Sequence, residues 1–142
     1  MKEHKSWREK LAQNKGLPKT VVIPAPIEVD ELMRQVPRGR LTTVNEIRAA
    51  LARKHNTMSA CPMTTGIFAW IAAHAAQEAQ AAGEKEFTPY WRTLKTDGQL
   101  NAKYPGGAAG QKKLLEAEGH KVVRKGKVQV VAEYEKALCD FR

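Results

Sequence analysis

Apolar positions along the chain recur mostly at three- and four-residue intervals, the repeat of helices with one buried face. Leu32, Met33 and Val36 predict a short helix over 28–35, ended by Pro37 and Gly39. Thr43-Val44-Asn45-Glu46 has the spacing of a capping box, in which the Thr hydroxyl and the Glu carboxylate satisfy each other's free backbone donors. It predicts a helix to about Lys54 that buries Val44, Ile47, Ala50 and Leu51, with His55-Asn56-Thr57 as the turn. Pro62 suits a first helical turn, where its missing donor has no partner in any case. Met63, Ile67, Trp70, Ile71 and His74 then recur at helical spacing, and alanines carry the helix to about Ala82, where Gly83 suits a left-handed stop. Two helices joined by a short turn predict a helix-turn-helix unit. Gly66 inside the second helix costs about 1 kcal/mol against Ala, which close approach of another backbone, from protein or DNA, would justify.

After Phe87 the pattern shifts. Residues 90–94 and 99–100 flank Asp97-Gly98, a pair that predicts a hairpin turn. Tyr104-Pro105-Gly106-Gly107 predicts a loop opening a helix over 108–118, with Leu114 and Leu115 buried and Gly119 as its stop. Val122-Val123 and residues 128–131 flank Arg124-Lys125-Gly126-Lys127, a second hairpin with a basic tip. Residues 132–141 extend that strand or form a last helix. The fold class this predicts is mainly α with small β-hairpins, a winged-helix-like helix-turn-helix domain over 27–142. Residues 1–26 are expected to be a basic, partly ordered leader, with Trp7 and Leu11 on one face of a short helix over 6–13 and Val21-Val22-Ile23 packed on the domain.

Charge narrows the function classes. The chain has 142 residues, with 24 Lys+Arg against 15 Asp+Glu and a formal charge of +9. Such a balance favours an anionic partner, nucleic acid or an acidic membrane surface. No apolar run reaches the length of a membrane span, and the start Met1-Lys2-Glu3-His4-Lys5 lacks an apolar signal core. Cys61 and Cys139 have no metal or redox spacing, which points to a reducing, cytoplasmic setting. His4, His55, His74 and His120 are scattered, so no metal and no cofactor are expected. A buried, satisfied histidine is the expectation for His74.

The order Val36-Pro37-x-Gly39-x-Leu41-Thr42-Thr43-x-x-Glu46-Ile47, Gly66, Pro89-x-x-Arg92, Gly106-Gly107-Ala108-Ala109 and Leu114-Leu115-Glu116-Ala117-Glu118-Gly119 resembles the DNA-binding domain of O6-alkylguanine-DNA alkyltransferases. It is similar above all to the alkyltransferase-like proteins, which lack the acceptor cysteine. The resemblance covers about 36–119; the leader and last hairpin lie outside it. In that family a Pro-Cys-His-Arg motif carries the acceptor thiol and its base; here the place reads Pro89-Tyr90-Trp91-Arg92. A phenol with a pKa near 10 and no adjacent imidazole is a poor substitute for an activated thiolate, so no enzyme is expected. Cys61 and Cys139 fall far from the motif, and an acceptor role for either is the remote alternative. Glu118 matches the family's orienting glutamate, with no histidine left to orient. The resemblance also places Val44 where the family has its phosphate-rotating tyrosine, Met63 at its arginine finger, Ala82 at its asparagine and Pro105 at its pocket serine.

Two site groups follow. Tyr90, Trp91, Arg92, Tyr104 and Glu118 form the expected pocket: Tyr90 and Trp91 either fill it or make an aromatic cage for a base, and Arg92 bonds backbone carbonyls. Thr42, Thr43 and Asn45, opening the first helix of the motif, suit DNA phosphate, and Thr43 is a cap in either case. Met63, Thr64, Thr65 and Gly66 begin the helix that in the family enters the minor groove; Met63 is either core or an apolar wedge. Thr96 aligns with a family serine that contacts the DNA backbone, and the basic hairpin from Lys121 is either a solvated tip or a grip on a second phosphate stretch. The expected function is non-catalytic binding of double-stranded DNA through the minor groove, by a monomer, with recognition of alkylated or modified bases for a repair partner. The alternative is a protein-interaction module that kept the fold without lesion recognition.

Overall fold

The computed structural model describes residues 20–141; the leader helix expected over 6–13 lies outside the described residues. Strand β1 (Val21–Val22) pairs in parallel with β3 (Ser59–Ala60), which ties the end of the leader to the domain as expected, although Val21 and Ile23 stay exposed. Helix α1 (Pro26–Arg34) starts two residues before the expected boundary because Glu28 caps it. The Ala25 N–H donates to Glu28 Oε1 at 3.0 Å, satisfying a donor that the helix leaves free. Val29 and Met33 are its buried residues, so the stripe is rotated and Leu32 is only half-buried.

Strand β2 (Thr42–Thr43) runs straight into α2 (Val44–Lys54). The Thr43 hydroxyl accepts the Glu46 N–H at 3.2 Å, one half of the capping box that the spacing predicts; the return bond from the Glu46 carboxylate is not made among the described residues. Ile47, Leu51 and Ala52 are buried, while Val44 and Ala50 are half-buried. Asn56, at φ 50, turns the chain toward β3. Helix α3 (Pro62–Ala81) follows and ends before Gly83 at φ 89. It buries Thr65, Ala69, Ala72, Ala73 and Ala76 against α1 and α2. This alters the expected picture. The alanine face lets the helix axes approach closely, which turns Met63, Ile67 and Ile71 outward.

Around the first core, the second half of the chain builds a wall. A 3-10 turn (Tyr90–Arg92) leads into β4 (Thr93–Leu94), which pairs in parallel with β2, Thr42 beside Thr93 and Thr43 beside Leu94. The expected hairpin at Asp97-Gly98 survives only as its turn, with φ 62 and 76 and the Lys95 N–H donating to Gln99 O at 2.9 Å. Its flanks find other partners: β4 takes β2, and the Leu100 N–H donates to Gln129 O at 3.0 Å. Burial of Leu94 and Leu100 in one cluster with Leu41, Leu115 and Val131 drives that choice.

Helix α4 (Gly107–Ala117) and the antiparallel pair β5 (Val122–Lys125) and β6 (Val128–Val131) form where the pattern predicts them, with Gly119 at φ 91 and Gly126 at φ 61. Residues 132–141 give neither a strand extension nor an α-helix. A 3-10 turn (Tyr134–Ala137) brings the chain back, and the Cys139 N–H donates to Leu41 O at 2.8 Å. Among the described residues no helix is long and apolar enough to cross a membrane.

Two outcomes test this packing. A Cβ on Gly98 would run into the Tyr134 ring at a left-handed φ, whereas one on Gly126 meets nothing. Gly98→Ala is expected to cost more than about 1 kcal/mol in urea unfolding and Gly126→Ala less. Hydrogen bonds from Ala25 and Lys54, then His55, bring the Glu28 carboxyl down to about 2. Its contribution is therefore present above the unfolded value near 4.3 and lost as pH falls toward about 2. Urea unfolding at neutral and acid pH should show a smaller acid loss for Glu28→Gln than for the native chain.

Candidate nucleic-acid interface

The first turns of α3 sort their side chains by hydrogen bonding. Cys61 stands at the cap; its sulfur accepts the Thr64 hydroxyl at 2.8 Å, and its carbonyl accepts the Thr65 hydroxyl at 2.7 Å. The Thr64 hydroxyl bond, then backbone amides at the helix start, lowers the Cys61 thiol below its ordinary value. Thr65 is fully buried, so it offers nothing to a ligand. What remains outward is apolar: Met63 is 74% exposed, Ile67 37% and Ile71 43%. Met63 is therefore not core. Gly66 has open space around its Cα, a notch between Met63 and Trp70.

A cleft of about 390 Å³ runs along this edge, with Val44, Met63 and Trp70 on the helical side and Lys95, Thr96 and Lys103 on the other. Lys103 is held in place. Its Nζ lies 5.7 Å from the Trp70 ring centre, and its carbonyl accepts Nε2–H of His74 at 2.8 Å. His74 is thus satisfied but exposed, where a buried position was expected. The far wall is fixed from behind by Gln111, which is fully buried. Its Oε1 accepts the Asn101 N–H at 2.7 Å, and its Nε2 donates to Trp91 O at 3.1 Å. Tyr104 donates its hydroxyl to Thr93 O at 3.0 Å, and burial pushes its phenol far up. The mouth is not uniformly positive: Asp97 follows Thr96, and Glu135, Asp97 and Glu46 add to the burial that raises the Tyr134 phenol.

The other expected sites divide. Asn45 and Thr96 are exposed, and Asn45 Oδ1 accepts from Arg48 at 3.1 Å. Thr42 and Thr43 are buried, which corrects their assignment as phosphate ligands: Thr43 is spent on its cap, and the Thr42 hydroxyl points inside without a partner. Thr65 is corrected on the same ground. Lys95, Lys103, Ile67 and Trp70 were absent from the expected set; two lysines bracketing the Asp97-Gly98 turn were the available signal.

The expected pocket is filled. Tyr90 packs edge-on to Tyr104 at 5.6 Å and to Trp91 at 5.3 Å, and burial raises its phenol. Tyr90 and Tyr104 are buried, which leaves no open cage between these rings. Glu118 has found other work. Its Oε2 accepts the Trp91 indole N–H at 2.8 Å and Arg92 Nη2 at 2.8 Å, and its Oε1 accepts Arg92 Nε at 3.0 Å. Arg92 also donates Nη1–H to Val36 O at 2.8 Å, the backbone bond expected of it. Burial alone would raise the Glu118 carboxyl, but the bonds from Arg92 and Trp91 outweigh it and hold the group below its ordinary value. Removing one partner of a buried pair leaves the other charge unpaired. Glu118→Gln should therefore cost about 3 kcal/mol in urea unfolding, and Trp91→Phe about 1 kcal/mol for its lost hydrogen bond.

Comparison with solved structures places this arrangement. The crystal structure of S. pombe Atl1 in complex with damaged DNA containing O6-carboxymethylguanine superimposes with a TM-score of 0.53 and 17% identity, over 81% of this chain and 94% of that one. S. pombe ATL in complex with DNA gives 0.50 and 19%, with the same coverage of both chains. No protein-family model matches the chain, and no curated protein does. At this identity the likeness is one of fold: a mainly helical helix-turn-helix domain with small sheets, similar to that of Atl1.

Proposed function

We propose that the chain is a non-catalytic, duplex-DNA-binding protein of the alkyltransferase-like type. The observation that carries this reading is the cleft: an exposed apolar helix edge, notched at Gly66, facing Lys95 and Lys103 on a chain of formal charge +9. The notch at Gly66 lets the start of α3 approach a minor groove, and Met63 takes the role of an apolar wedge between base steps that opens the groove beyond its ordinary width of about 6 Å. The two lysines meet flanking phosphates and position the helix without reading sequence. The DNA held in the S. pombe Atl1 and ATL structures, damaged in the first, agrees with this reading.

Lesion recognition is the finer part. With Tyr90 and Tyr104 packed into the former pocket, an alkylated base meets the protein at the cleft between Met63, Trp70 and Lys103. Stacking on an aromatic face is worth about 1–3 kcal/mol per base. Alkyl transfer is not part of the reading: the Tyr90 phenol is buried and raised, and burial also raises the Cys139 thiol. Cys61, whose thiol is lowered, is the residue to watch.

The competing reading, a protein-interaction module, draws on the apolar trough between Ile27 of α1 and Phe68 and Ile71 of α3. Anisotropy titrations on matched duplexes, with and without O6-methylguanine, separate the two. Affinity should fall steeply as salt rises, because counterion release drives binding. Met63→Glu should weaken it at least about tenfold, ~1.4 kcal/mol, and intact mass after incubation with the lesion duplex should not change. Salt-independent binding, or none, would favour the module; a stable mass increase on Cys61 would restore the enzyme.

A further inference from the structure

The hairpin of β5 and β6 carries charge that the cleft does not use. Residues 119–132 contain Lys121, Arg124, Lys125 and Lys127 and no carboxylate. Arg124, Lys125 and Lys127 are exposed, and none of them joins an ion pair among the described residues. Register sets Arg124 across from Gln129 and Lys125 across from Val128, so the cations do not oppose one another across the strands. Gly126 closes the tip with a left-handed φ of 61.

A free two-stranded hairpin is marginal in water, but this one is anchored at its base. The Leu100 N–H donates to Gln129 O at 3.0 Å, and Gln99 bridges to Val130. Leu100 directly precedes Asn101 in the cleft wall. Register sets Arg124 level with that bond, and at about 3.3 Å per residue Lys125 stands roughly 3 Å and Lys127 roughly 7 Å farther along the strands. The turn bearing Asp97 also packs on β6, which sets the hairpin beside that end of the cleft wall.

We propose that this hairpin is a second phosphate-binding element, gripping the duplex backbone beside the stretch that Lys95 and Lys103 hold. The inference rests on the DNA-binding reading above and extends its footprint. The ligand is the phosphodiester backbone of duplex DNA. Arg124 offers a planar fork for paired bonds to one phosphate, and Lys125 and Lys127 act as point charges. Such contacts carry no sequence information, so they add affinity and salt dependence to every duplex alike.

The test is anisotropy on the full chain with a duplex long enough to pass the hairpin and one trimmed to the cleft. The variants are Arg124→Gln/Lys125→Gln/Lys127→Gln and the single Lys125→Glu, each checked for native circular dichroism. Three lost contacts reduce the salt slope by about 2.7, at 0.9 per phosphate. Between about 50 and 200 mM salt the native chain should thus lose about 40-fold more affinity for the long duplex than the triple variant does. On the trimmed duplex the two should coincide, and Lys125→Glu should weaken only long-duplex binding. Equal slopes on the long duplex, with binding still weakened by Met63→Glu, would overturn the hairpin's role and leave the cleft reading standing. Failure of the native chain to bind either duplex would remove both. Unchanged DNA affinity in the triple variant together with lost binding to phosphatidylserine vesicles would overturn the proposal in favour of a lipid surface.

Discussion

The Arg92–Glu118 pair is the junction on which the second half of the molecule depends. Its guanidinium and carboxylate are mostly buried, and they join the turn before β4, the end of α4 and the carbonyl of Val36. Burying two charges is costly, and the close, forked geometry is what offsets it. By fixing the 90–94 segment, the pair sets the parallel register of β4 on β2 and, through Gln111, the course of the 99–104 wall. The cleft therefore exists because of an ion pair that does not line it.

That junction occupies the place where the resemblance implies a reactive centre. A glutamate matched to one that orients a base instead anchors an indole and a guanidinium, and a tyrosine fills the space beside it. The accessible apolar surface lies at the edge of α3, facing Lys95 and Lys103.

Much of the fold was legible in the chain because its signals are local. The cap at Thr43, Pro62 at the start of α3, and the glycine stops at Gly83 and Gly119 each act within one helical turn. The departures come from long-range competition. Asp97-Gly98 makes its turn, but the flanking residues pair with β2 and β6 as Leu94 and Leu100 join the cluster of Leu41, Leu115 and Val131. Glu28 moved the start of α1 because a side-chain cap outweighed the apolar spacing.

The site was less legible for a related reason. Helical spacing identifies a face without saying which side it turns to. In α3 two faces compete, one of alanines and one of larger side chains, and close packing against α1 and α2 selects the smaller. Thr42, Thr43 and Thr65 looked like phosphate ligands by type, yet strand pairing and capping bury them. Lys95 and Lys103 are far from α3 in the chain and reach the cleft only through the wall's fold.

The central claim is that the outward edge of α3, facing Lys95 and Lys103, is the surface that meets the double helix. Backbone hydrogen exchange with and without a saturating duplex tests it most directly. The account predicts added protection at the start of α3 and across residues 95–103, with none in α1. Protection confined to α1 and the C-terminal half of α3, or none anywhere, would contradict it.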